Sequence, residues 1–470
     1  MRDEAQSVHE ILARVLLELE ELKKENTLLR QEIADLKSQI NSNSKNSSRP
    51  PSSDGYRKKP SPALPKTKKG KKGGQKGHKG DTLCQTTNPD QVVIVKPSDC
   101  GCGHQFTHDE CGLSSKRQVF ELPKPKLEVT EYQIYSAKCP KCGLTHQGEA
   151  LKNVTAPVQY GVQAKAFAVL LNTHYKVPFK KVRQMFMDLY GYPINESTIY
   201  SASQLCFDQL EETEKVIKSK VSESDVTHAD ESGLRVLGSL HWLHTATTLL
   251  FTYLFVHKKR GLEALNSDKS VFDEFSGWLV HDCWSSYFKF TGMKHALCGA
   301  HILRELQGLI DSGQSPWAKE FHTFLLNLYK TPFHKRLAAM GIVKSKYSQI
   351  CNKGEKQEPP PYKAERKRGK PKRTKGRNLV ERLIREKDAV LAFAFNEEVP
   401  FTNNLAERDI RPVKIKMKVS NCFRTLNGAE IYARIESFIS TARKNNRNIF
   451  EELTNTLNGH NFLVPSSQAK

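Results

Sequence analysis

Hydrophobic residues near the N-terminus recur every three and four positions from residue 8 to residue 40. One seam of this heptad pattern contains Leu12, Leu19, Asn26, Ile33 and Ile40, and the other contains Val8, Val15, Leu22, Leu29 and Leu36. A narrow apolar stripe with one asparagine in an a-type position is typical of a parallel dimeric coiled coil, in which the asparagine fixes the register. We therefore predict a coiled-coil dimerisation helix over residues 1–43. An amphipathic helix that packs on its own chain is the alternative.

Hydrophobic residues become scarce over residues 44–82. This stretch reads N-S-S-R-P-P-S-S-D-G and then P-K-T-K-K-G-K-K-G-G-Q-K-G-H-K-G, with ten Lys or Arg and no acid between Arg57 and Lys79. Such a composition cannot bury a core, so we predict a disordered basic linker. Its lysines would neutralise phosphates without reading base sequence, foremost among them Lys68, Lys69, Lys71 and Lys72. A tail that only aids solubility is the alternative.

Residues 83–150 predict a small β-rich module. Strand-like runs at 118–122 and 127–137 lie between two cysteine pairs, Cys100-Gly-Cys102 and Cys139-Pro-Lys-Cys142-Gly. Four thiolates suit tetrahedral Zn²⁺, which would brace two turns in a segment with few core residues. The first pair is one residue tighter than the second, so His104 or Cys111 stays open as a replacement ligand. Plain thiols without zinc are the other alternative.

Helical periodicity returns over residues 151–222. The stretch 179–190 has an apolar stripe, G-Y-P-I turns the chain, and Asn195 or Ser197 is a plausible N-cap for the next helix. Helix, glycine-containing turn and helix form the outline of a helix-turn-helix, whose second helix could enter a DNA major groove. Ordinary helix packing explains the pattern equally well, because the second helix carries little positive charge.

From about residue 225 the pattern changes to strand, strand, strand, helix, strand. The strands are predicted at 226–236, 240–247, 250–257 and 277–281, with the helix at 261–275. This order suits an RNase H-like core. Asp230 would lie on the first strand and Asp282 just past the fourth.

A long stretch separates Asp282 from the next conspicuous acid, Glu407. It contains helical patterns at 301–309 and 317–329 and a basic low-complexity run at 363–377. We predict an α-helical insertion over about 299–395, with the core fold resuming near Leu379. Cys298-x-x-His301 has the spacing of a metal-ligand pair, but the sequence offers no second pair, so we favour a helix-packing role.

Asp230 and Asp282 stand out because they interrupt apolar, strand-like stretches, where carboxylates are depleted, and Glu407 lies on a short helix-like segment far downstream. Carried to neighbouring strand ends and a facing helix, they could converge on one point. Hard oxygen ligands suit Mg²⁺ or Mn²⁺, and two such ions can clamp the attacking and leaving oxygens of a phosphoryl transfer. Each acid also has a plain structural explanation: a turn, a strand end, or a capping box between Asn404 and Glu407.

Basic residues follow Glu407 directly. Asn404, Glu407 and Arg411 are spaced to share one helix face, and Pro412 is expected to end that helix. Lys414, Lys416 and Lys418 would then alternate along an extended strand and point to one side, where they could grip a phosphate backbone. A solvated strand face explains the same pattern equally well.

Composition supports a nucleic-acid partner. The 470-residue chain has 73 Lys and Arg against 51 Asp and Glu, a net charge of +22, and its length calls for two or more domains. No secretory signal is visible, and the longest apolar stretch, at 245–256, is too short for a bilayer. Eleven cysteines without such a signal suggest thiols and metal sites. We expect a cytoplasmic DNA-acting protein with no membrane contact.

Several motifs in the same order resemble the IS66 family of transposases, bacterial insertion-sequence enzymes with an RNase H-like DDE core. They are V-T-H-A-D-E-S-G, G-S-L-H-W-L-H-T-A-T, K-K-R-G-L-E-A-L, W-L-V-H-D-C-W, H-A-L-C-G-A-H-I-L-R-E-L, N-N-L-A-E-R-D-I-R-P-V-K and C-F-R-T-L-N-G-A-E-I-Y-A-R-I-E-S-F-I-S-T-A-R-K. The resemblance reaches upstream to N-S-S-R-P-P-S-S-D-G and so covers most of the chain.

The resemblance implies a multidomain α/β protein. Its parts would be the N-terminal coiled coil, the small zinc-binding β module, the helical region, an RNase H-like mixed-sheet catalytic core over 223–425 with its α-helical insertion, and a C-terminal helical tail over 426–470.

The resemblance also implies binding to an element's terminal inverted repeats, followed by metal-dependent DNA cleavage and strand transfer. Asp230, Asp282 and Glu407 would be the catalytic metal ligands, with Asn404 and Arg408 or Arg411 orienting the acid or contacting DNA. The expected partners are terminal and target DNA, further copies of the chain in a homodimer or higher oligomer, and element-encoded companion proteins. The alternatives are a zinc-containing DNA-binding regulator with a silent nuclease-like core, and a structure-specific nuclease that does not join DNA.

Overall fold

A computed structural model describes residues 2–40, 46, 83–97, 100–149, 153–313, 315–358, 360 and 373–464. The chain divides into two compact units. One comprises Met1–Pro65, Ala156–Gln184 and Ile194–Lys470, and the other comprises Lys66–Thr155 and Met185–Pro193. Apart from Asn46, the basic linker lies outside the described residues, and with it Lys68, Lys69, Lys71 and Lys72. No helix in the described part of the chain is long and apolar enough to cross a membrane.

The N-terminal heptads form one helix, α1 (Arg2–Ile40). The helix predicted from the heptads is therefore confirmed. Its seam side chains from residue 12 onward are exposed in the single chain: Leu12 by 57%, Leu22 by 63% and Leu36 by 51%. An exposed apolar stripe of this kind is suited to packing against another helix.

The cysteine-rich segment forms one short antiparallel hairpin, β1 (Ser136–Lys138) and β2 (Thr145–Gln147), which flanks the second cysteine pair. The strand predicted at 118–122 is absent and that at 127–137 is reduced to its last residues. Side chains along this stretch are exposed, for example Val119 by 87% and Val129 by 82%. Hydrophobic alternation alone does not form a strand where no partner strand or core meets it.

The helical region contains α2 (Val162–Val169), continued by a π-helical turn (Leu170–His174), α3 (Phe179–Tyr190), α4 (Glu196–Gln209) and α5 (Glu211–Ser222). Asn195 occupies the N-cap position of α4 but makes no side-chain cap bond. Apolar residues of α2 and α4 share a core with the C-terminal helices α14 (Leu426–Lys444) and α15 (Ile449–Leu457). The face of α4 that carries Ala202 and Cys206 is therefore used for packing.

A five-stranded mixed sheet follows. Its strands are β3 (Val226–Val236), β4 (Ser239–Thr247), β5 (Thr252–His257), β6 (Trp278–His281) and β7 (Lys294–Leu297). The order is β5-β4-β3-β6-β7. The β3–β4 and β4–β5 pairs are antiparallel, and the β3–β6 and β6–β7 pairs are parallel. The strand β6, which Asp282 directly follows, is therefore a neighbour of the central strand β3, which contains Asp230.

The predicted helix at 261–275 is shorter in the structure, where α6 spans only Leu262–Leu265. Serine side chains bond the backbone after it: Ser267 donates to the carbonyl of Ala264 at 2.7 Å, and Ser270 accepts the N–H of Phe272 at 3.1 Å. Such bonds compete with helix formation. The fifth strand, β7, is short and was not predicted.

Most of the described residues between β7 and residue 404 are helical. The helices are α7 (Gly299–Asp311), α8 (Pro316–Lys330), α9 (Phe333–Ala338), α10 (Met340–Gln357), α11 (Lys375–Arg385) and α12 (Lys387–Phe395). They build a core around Trp317, Phe321 and Tyr347 that also takes in Val280 and Leu297 of the sheet. Residues 363–372 of the basic run lie outside the described residues. The end of that run is ordered, since Thr374 caps α11 by accepting the N–H of Arg377 at 2.9 Å.

Helix α13 (Asn404–Ser420) packs on the sheet beside α14. Ile410 and Val413 share a core with Leu234 of β3 and Leu243 of β4. The prediction that Pro412 ends this helix is wrong, because α13 continues for two further turns. Packing of Val413 and the buried stem of Lys416 offsets the hydrogen bond that a mid-helix proline removes.

Candidate functional site

Asp230 lies in the middle of β3 next to two further carboxylates. One of its oxygens accepts the backbone N–H of Glu231 at 2.9 Å. Burial, followed by repulsion from Glu231 and Asp282, raises the pKa of Asp230 to about 7, while Lys414 acts in the opposite direction. The first two predicted site residues are therefore close enough to repel each other, and Lys414 of α13 lies near them.

Asp282 follows β6 in a turn that is held on both sides. Its carboxylate accepts the N–H of Trp284 at 3.1 Å, and between them Cys283 has a φ of +76°. The ring of His281 accepts the N–H of Cys283 at 3.2 Å and lies 3.3 Å from the ring of His295. Burial lowers the pKa of both histidines, which keeps them neutral. The rings of His281 and His295 thus hold the turn that carries Asp282 in place.

Glu231 is engaged in contacts of its own. It accepts a hydrogen bond from Tyr287 at 2.8 Å and from Nε of Arg260 at 2.8 Å. The Arg260 guanidinium lies between two indole rings, 4.9 Å from the centroid of Trp242 and 4.5 Å from that of Trp284. This acid is buried and paired, which suits a structural role beside the site.

Glu407 lies in the first turn of α13, facing α7. Its Oε1 is 3.5 Å from the guanidinium of Arg304 and 3.7 Å from Nδ1 of His301, and its Oε2 is 4.0 Å from Arg411. The pKa of His301 is lowered by burial and by Arg304, and is raised by Glu407 and Asp282. His301 therefore interacts with both of these acids and links the Asp282 end of the sheet to α13.

Asn403, the residue before α13, ties this helix to the strand that carries Asp230. Its amide donates to the carbonyl of Ala229 at 2.7 Å, and its side-chain oxygen lies 2.9 Å from the ring of His228. Its backbone N–H donates to Sγ of Cys298 at 3.1 Å. Asn403 makes no side-chain cap bond. Since α13 begins at Asn404, this residue lies inside the helix and not at the N-cap position that the suggested capping box with Glu407 requires. Bonds from Asn403 to β3 place the helix instead.

A buried ion pair fixes the next turn of α13. Lys444 of α14 lies 2.6 Å from Asp409, and the side chains are 10% and 7% exposed. The same carboxylate oxygen accepts hydrogen bonds from Thr247 at 2.7 Å and Thr252 at 3.1 Å. Residues two positions apart point to different faces of a helix. The Asp409 network therefore binds one face of α13 to the sheet, while Glu407 on another face lies against α7.

The basic residues of α13 divide between its faces. Asn404, Lys414 and Lys418 are exposed, as are the side chains of Arg408 and Arg411, by 68% each. Lys416 is 8% exposed, and burial together with Lys176 lowers its pKa to about 8. The predicted row of three lysines on one side of a strand is therefore wrong. In a helix, residues 414 and 418 share a face, and residue 416 points to the core.

Each cysteine pair of the module lies on a tight turn. Gly103 and Gly143, both with positive φ, donate to the carbonyls of Cys100 and Cys139 at 2.8 and 2.9 Å. Hydrogen bonds lower the pKa of Cys102 and of Cys139, chiefly from the backbone and also from the thiol of the partner, Cys100 or Cys142. These turns suit thiolate ligands. The two pairs do not come within 4.8 Å of each other as a three-ligand group.

Several residues of the site were missed by the sequence analysis: Glu231, Arg260, Arg304, Asn403, Asp409 and Lys444. The sequence shows two acids close together in A-D-E and in E-R-D, but nothing local shows which acid of each pair faces the site. Pairing the distant Lys444 with Asp409 requires the fold.

The mixed sheet brings Asp230 and Asp282 together, whereas Glu407 faces α7 and does not form a group of metal ligands with these two acids within 4.8 Å among the described residues. Together with a separate module of cysteine turns, this pair suggests a DNA-processing enzyme, and family comparison narrows the class to transposases. The Transposase IS66 family matches residues 157–431, more than half of the 470 residues, so the chain belongs to this family. The zinc-finger binding domain of transposase IS66 matches residues 97–143. A family of unknown function (DUF6444) matches residues 1–83. No curated protein matches the chain. The resemblance read from the motifs is confirmed, and the zinc-finger match supports structural Zn²⁺.

Proposed function

We propose that the chain is a DNA transposase that binds the terminal inverted repeats of its element and catalyses cleavage and strand transfer at an RNase H-like core. The observation that carries the proposal is the placement of Asp230 on β3 and Asp282 directly after the neighbouring parallel strand β6, where burial and mutual repulsion raise the pKa of Asp230 to about 7. A fold that places carboxylates where they repel each other gains from a divalent cation. The strand order β5-β4-β3-β6-β7 supports the RNase H-like assignment.

The carboxylates Asp230, Asp282 and Glu407 offer hard oxygen donors, which fit Mg²⁺ or Mn²⁺ better than softer cations. When bound, such ions would activate the attacking oxygen and neutralise charge on the phosphate. The protein contributes the placement. Asn403 fixes α13 against Ala229, and the backbone N–H of Trp284 orients Asp282.

Exposed cations around the acids would bind the DNA backbone. Lys414 lies close enough to Asp230 to affect its pKa, and Lys418 is on the same helix face. Arg408 and Arg411 are exposed on neighbouring turns, and Asn404 is exposed at the start of α13. These side chains, with the basic linker, would hold phosphates and carry no base information.

The remaining parts would assemble the DNA ends. Zn²⁺ held by Cys100, Cys102, Cys139 and Cys142 would brace the module. This binding requires the two cysteine turns to approach each other and share one ion. The exposed stripe of α1 would pair with that of a second copy as a coiled coil, in a homodimer or higher oligomer. Helices α3 and α4 remain candidates for DNA recognition, and companion proteins of the element are further possible partners.

The decisive test is cleavage and joining of the element's own terminal DNA in the presence of Mg²⁺. Wild-type protein is expected to cut and join. Asp230→Asn is expected to do neither while its DNA affinity stays near normal, because the substitution keeps shape and removes one cation ligand. Asp388→Asn, at a side chain that is 92% exposed, is the matched control and should retain activity.

The outcome also separates the alternatives. Cutting without joining would identify a structure-specific nuclease. DNA binding without either reaction would favour a regulator with a silent core. Full activity of Asp230→Asn would remove this acid from the proposed site.

A further inference from the structure

The Cys298–His301 pair, which the sequence associated with helix packing, lies beside Glu407. Cys298, His301 and Glu407 are the group of three metal-ligand side chains in the described chain whose ligand atoms all lie within 4.8 Å of one another. We propose that these residues form a second cation site, for a thiophilic divalent ion of the Zn²⁺ class. Glu407 would belong both to this cation site and to the catalytic site. Only the catalytic role of Glu407 depends on the proposed function.

His301 supplies the first observation. Its Nδ1 atom is buried and has no hydrogen-bond partner among the described residues. It lies 3.7 Å from Oε1 of Glu407, which is too long for a hydrogen bond. Two ligands at about 2.0–2.3 Å from a tetrahedral zinc ion stand roughly 3.3–3.8 Å apart, so the His301–Glu407 distance matches ligand spacing.

Cys298 supplies the third donor. It is 1% exposed and occupies the N-cap position of α7, and its Sγ accepts the N–H of Asn403 at 3.1 Å. Burial raises the pKa of the Cys298 thiol to about 11, while the N–H groups of Asn403 and His301 act in the opposite direction, so the cation itself must favour the thiolate. Cation binding would release the thiol proton to solvent.

The donor set decides the kind of cation. One sulfur, one imidazole nitrogen and one carboxylate oxygen suit zinc, whereas Mg²⁺ takes oxygen ligands. Three protein ligands leave a fourth position for water. The ordinary explanation for a buried cysteine and histidine on one helix is packing, but packing alone does not require a thiol, an imidazole and a carboxylate within 4.8 Å of one another.

Arg304 is the competitor for this site. Its guanidinium lies 3.5 Å from the same oxygen of Glu407, so a bound ion must displace it. The Arg304 side chain is 23% exposed, so it reaches solvent when the ion displaces it. Removal of this positive charge should therefore strengthen zinc binding, whereas removal of Cys298 should weaken it.

The site would act as a regulator of the same carboxylate. Zinc bound at Cys298 and His301 would hold Glu407 against α7 and make it unavailable to Mg²⁺ near Asp230. Excess zinc is expected to slow DNA cleavage in wild-type protein and to have less effect on Cys298→Ser.

The direct test counts zinc per full-length chain at controlled free zinc concentrations. Wild-type protein is expected to take up about one zinc more than Cys298→Ser, on a tetrahedral site of this donor set. Arg304→Gln should reach the zinc content of wild type at about fivefold lower free zinc concentration. This factor corresponds to the free energy of one partly exposed ion pair. Cys206→Ser, at a buried cysteine in a different core, is the matched control and should behave as wild type.

Equal zinc content in wild type and Cys298→Ser, with both folded by thermal melting, would overturn the proposal. So would a loss of zinc in Arg304→Gln, and this second variant decides the question if Cys298→Ser does not fold. Zinc in the cysteine module contributes equally to every variant. Failure of DNA cleavage would leave the zinc difference unchanged, so the two proposals fail separately.

Discussion

At the scale of single residues, the main feature is a carboxylate that the fold keeps in an unfavourable charge state. Asp230 is surrounded by buried strand residues and by two other acids, which raise its pKa to about 7. A folded-state pKa above the ordinary value means that Asp230 favours the fold at low pH. That contribution is lost as the pH rises through about 7.

Asp230→Asn should therefore stabilise the cation-free protein at alkaline pH. Without divalent cations at about pH 8, we expect a gain of at most about 4 kcal/mol in the free energy of unfolding, and this gain should shrink as the pH falls towards about 4. Urea unfolding in EDTA measures it. Mg²⁺ should stabilise wild type more than the variant. Parallel pH profiles for both proteins would mean that Asp230 ionises normally.

At the scale of elements, α13 is the helix whose placement decides the site. Asn403 fixes its start, the Asp409–Lys444 pair fixes its second turn, and Pro412 lies inside it. One face therefore binds the sheet while the other presents Glu407 and the exposed lysines.

The Asp409–Lys444 pair gives a test of this anchoring. Lys444→Met should cost about 3–5 kcal/mol in unfolding free energy, because it leaves a buried carboxylate without its cation. The double variant with Asp409→Leu should recover most of the loss. Lys418→Met, at an exposed position of α13, is the control. An additive double variant would indicate that the pair is not coupled.

The lysines of α13 give a second test, on DNA binding. Lys414→Met should lower the slope of log affinity against log salt by about one, because one phosphate contact is lost. Lys416→Met should leave this slope unchanged, because Lys416 is buried. Titrations at several salt concentrations compare them. Equal losses for both variants would favour the extended strand that the sequence first predicted.

The sequence predicts those parts of the site that depend on a local pattern of residues, and it does not predict parts that depend on contacts between distant residues. The bounds of β3 were predicted as observed, since its hydrophobic alternation is strong. The continuation of α13 through Pro412 was not, because packing on β3 and β4 outweighed a local rule. The proximity of His301 to Glu407 joins residues over a hundred positions apart, and only the fold brings them together.

At the scale of the whole molecule, the parts differ in how their hydrophobic surface is covered. The sheet and its helices bury theirs within the chain, whereas α1 leaves Leu12, Leu22 and Leu36 about half exposed or more. A stripe repeated over ten turns of helix is most simply covered by a second copy.

Deletion of residues 1–43 should therefore leave a monomer that pairs two DNA ends poorly. Sedimentation in the analytical ultracentrifuge compares the full chain with the deletion, and Asn26→Leu in the full chain tests the register, since it should relax the choice of oligomer. An unchanged oligomeric state after deletion would place the dimer contact elsewhere.

The stacking of Arg260 between Trp242 and Trp284 gives this protein an optical property. Two of its four tryptophans have their rings over one guanidinium, and the backbone N–H of Trp284 donates to the carboxylate of Asp282. A cation that binds Asp282 would lie two residues along the chain from that indole and should change the electric field around it. The emission of Trp284 should therefore follow occupancy of the acidic site in unlabelled protein, with buried Trp317 of the helical insertion as an internal standard.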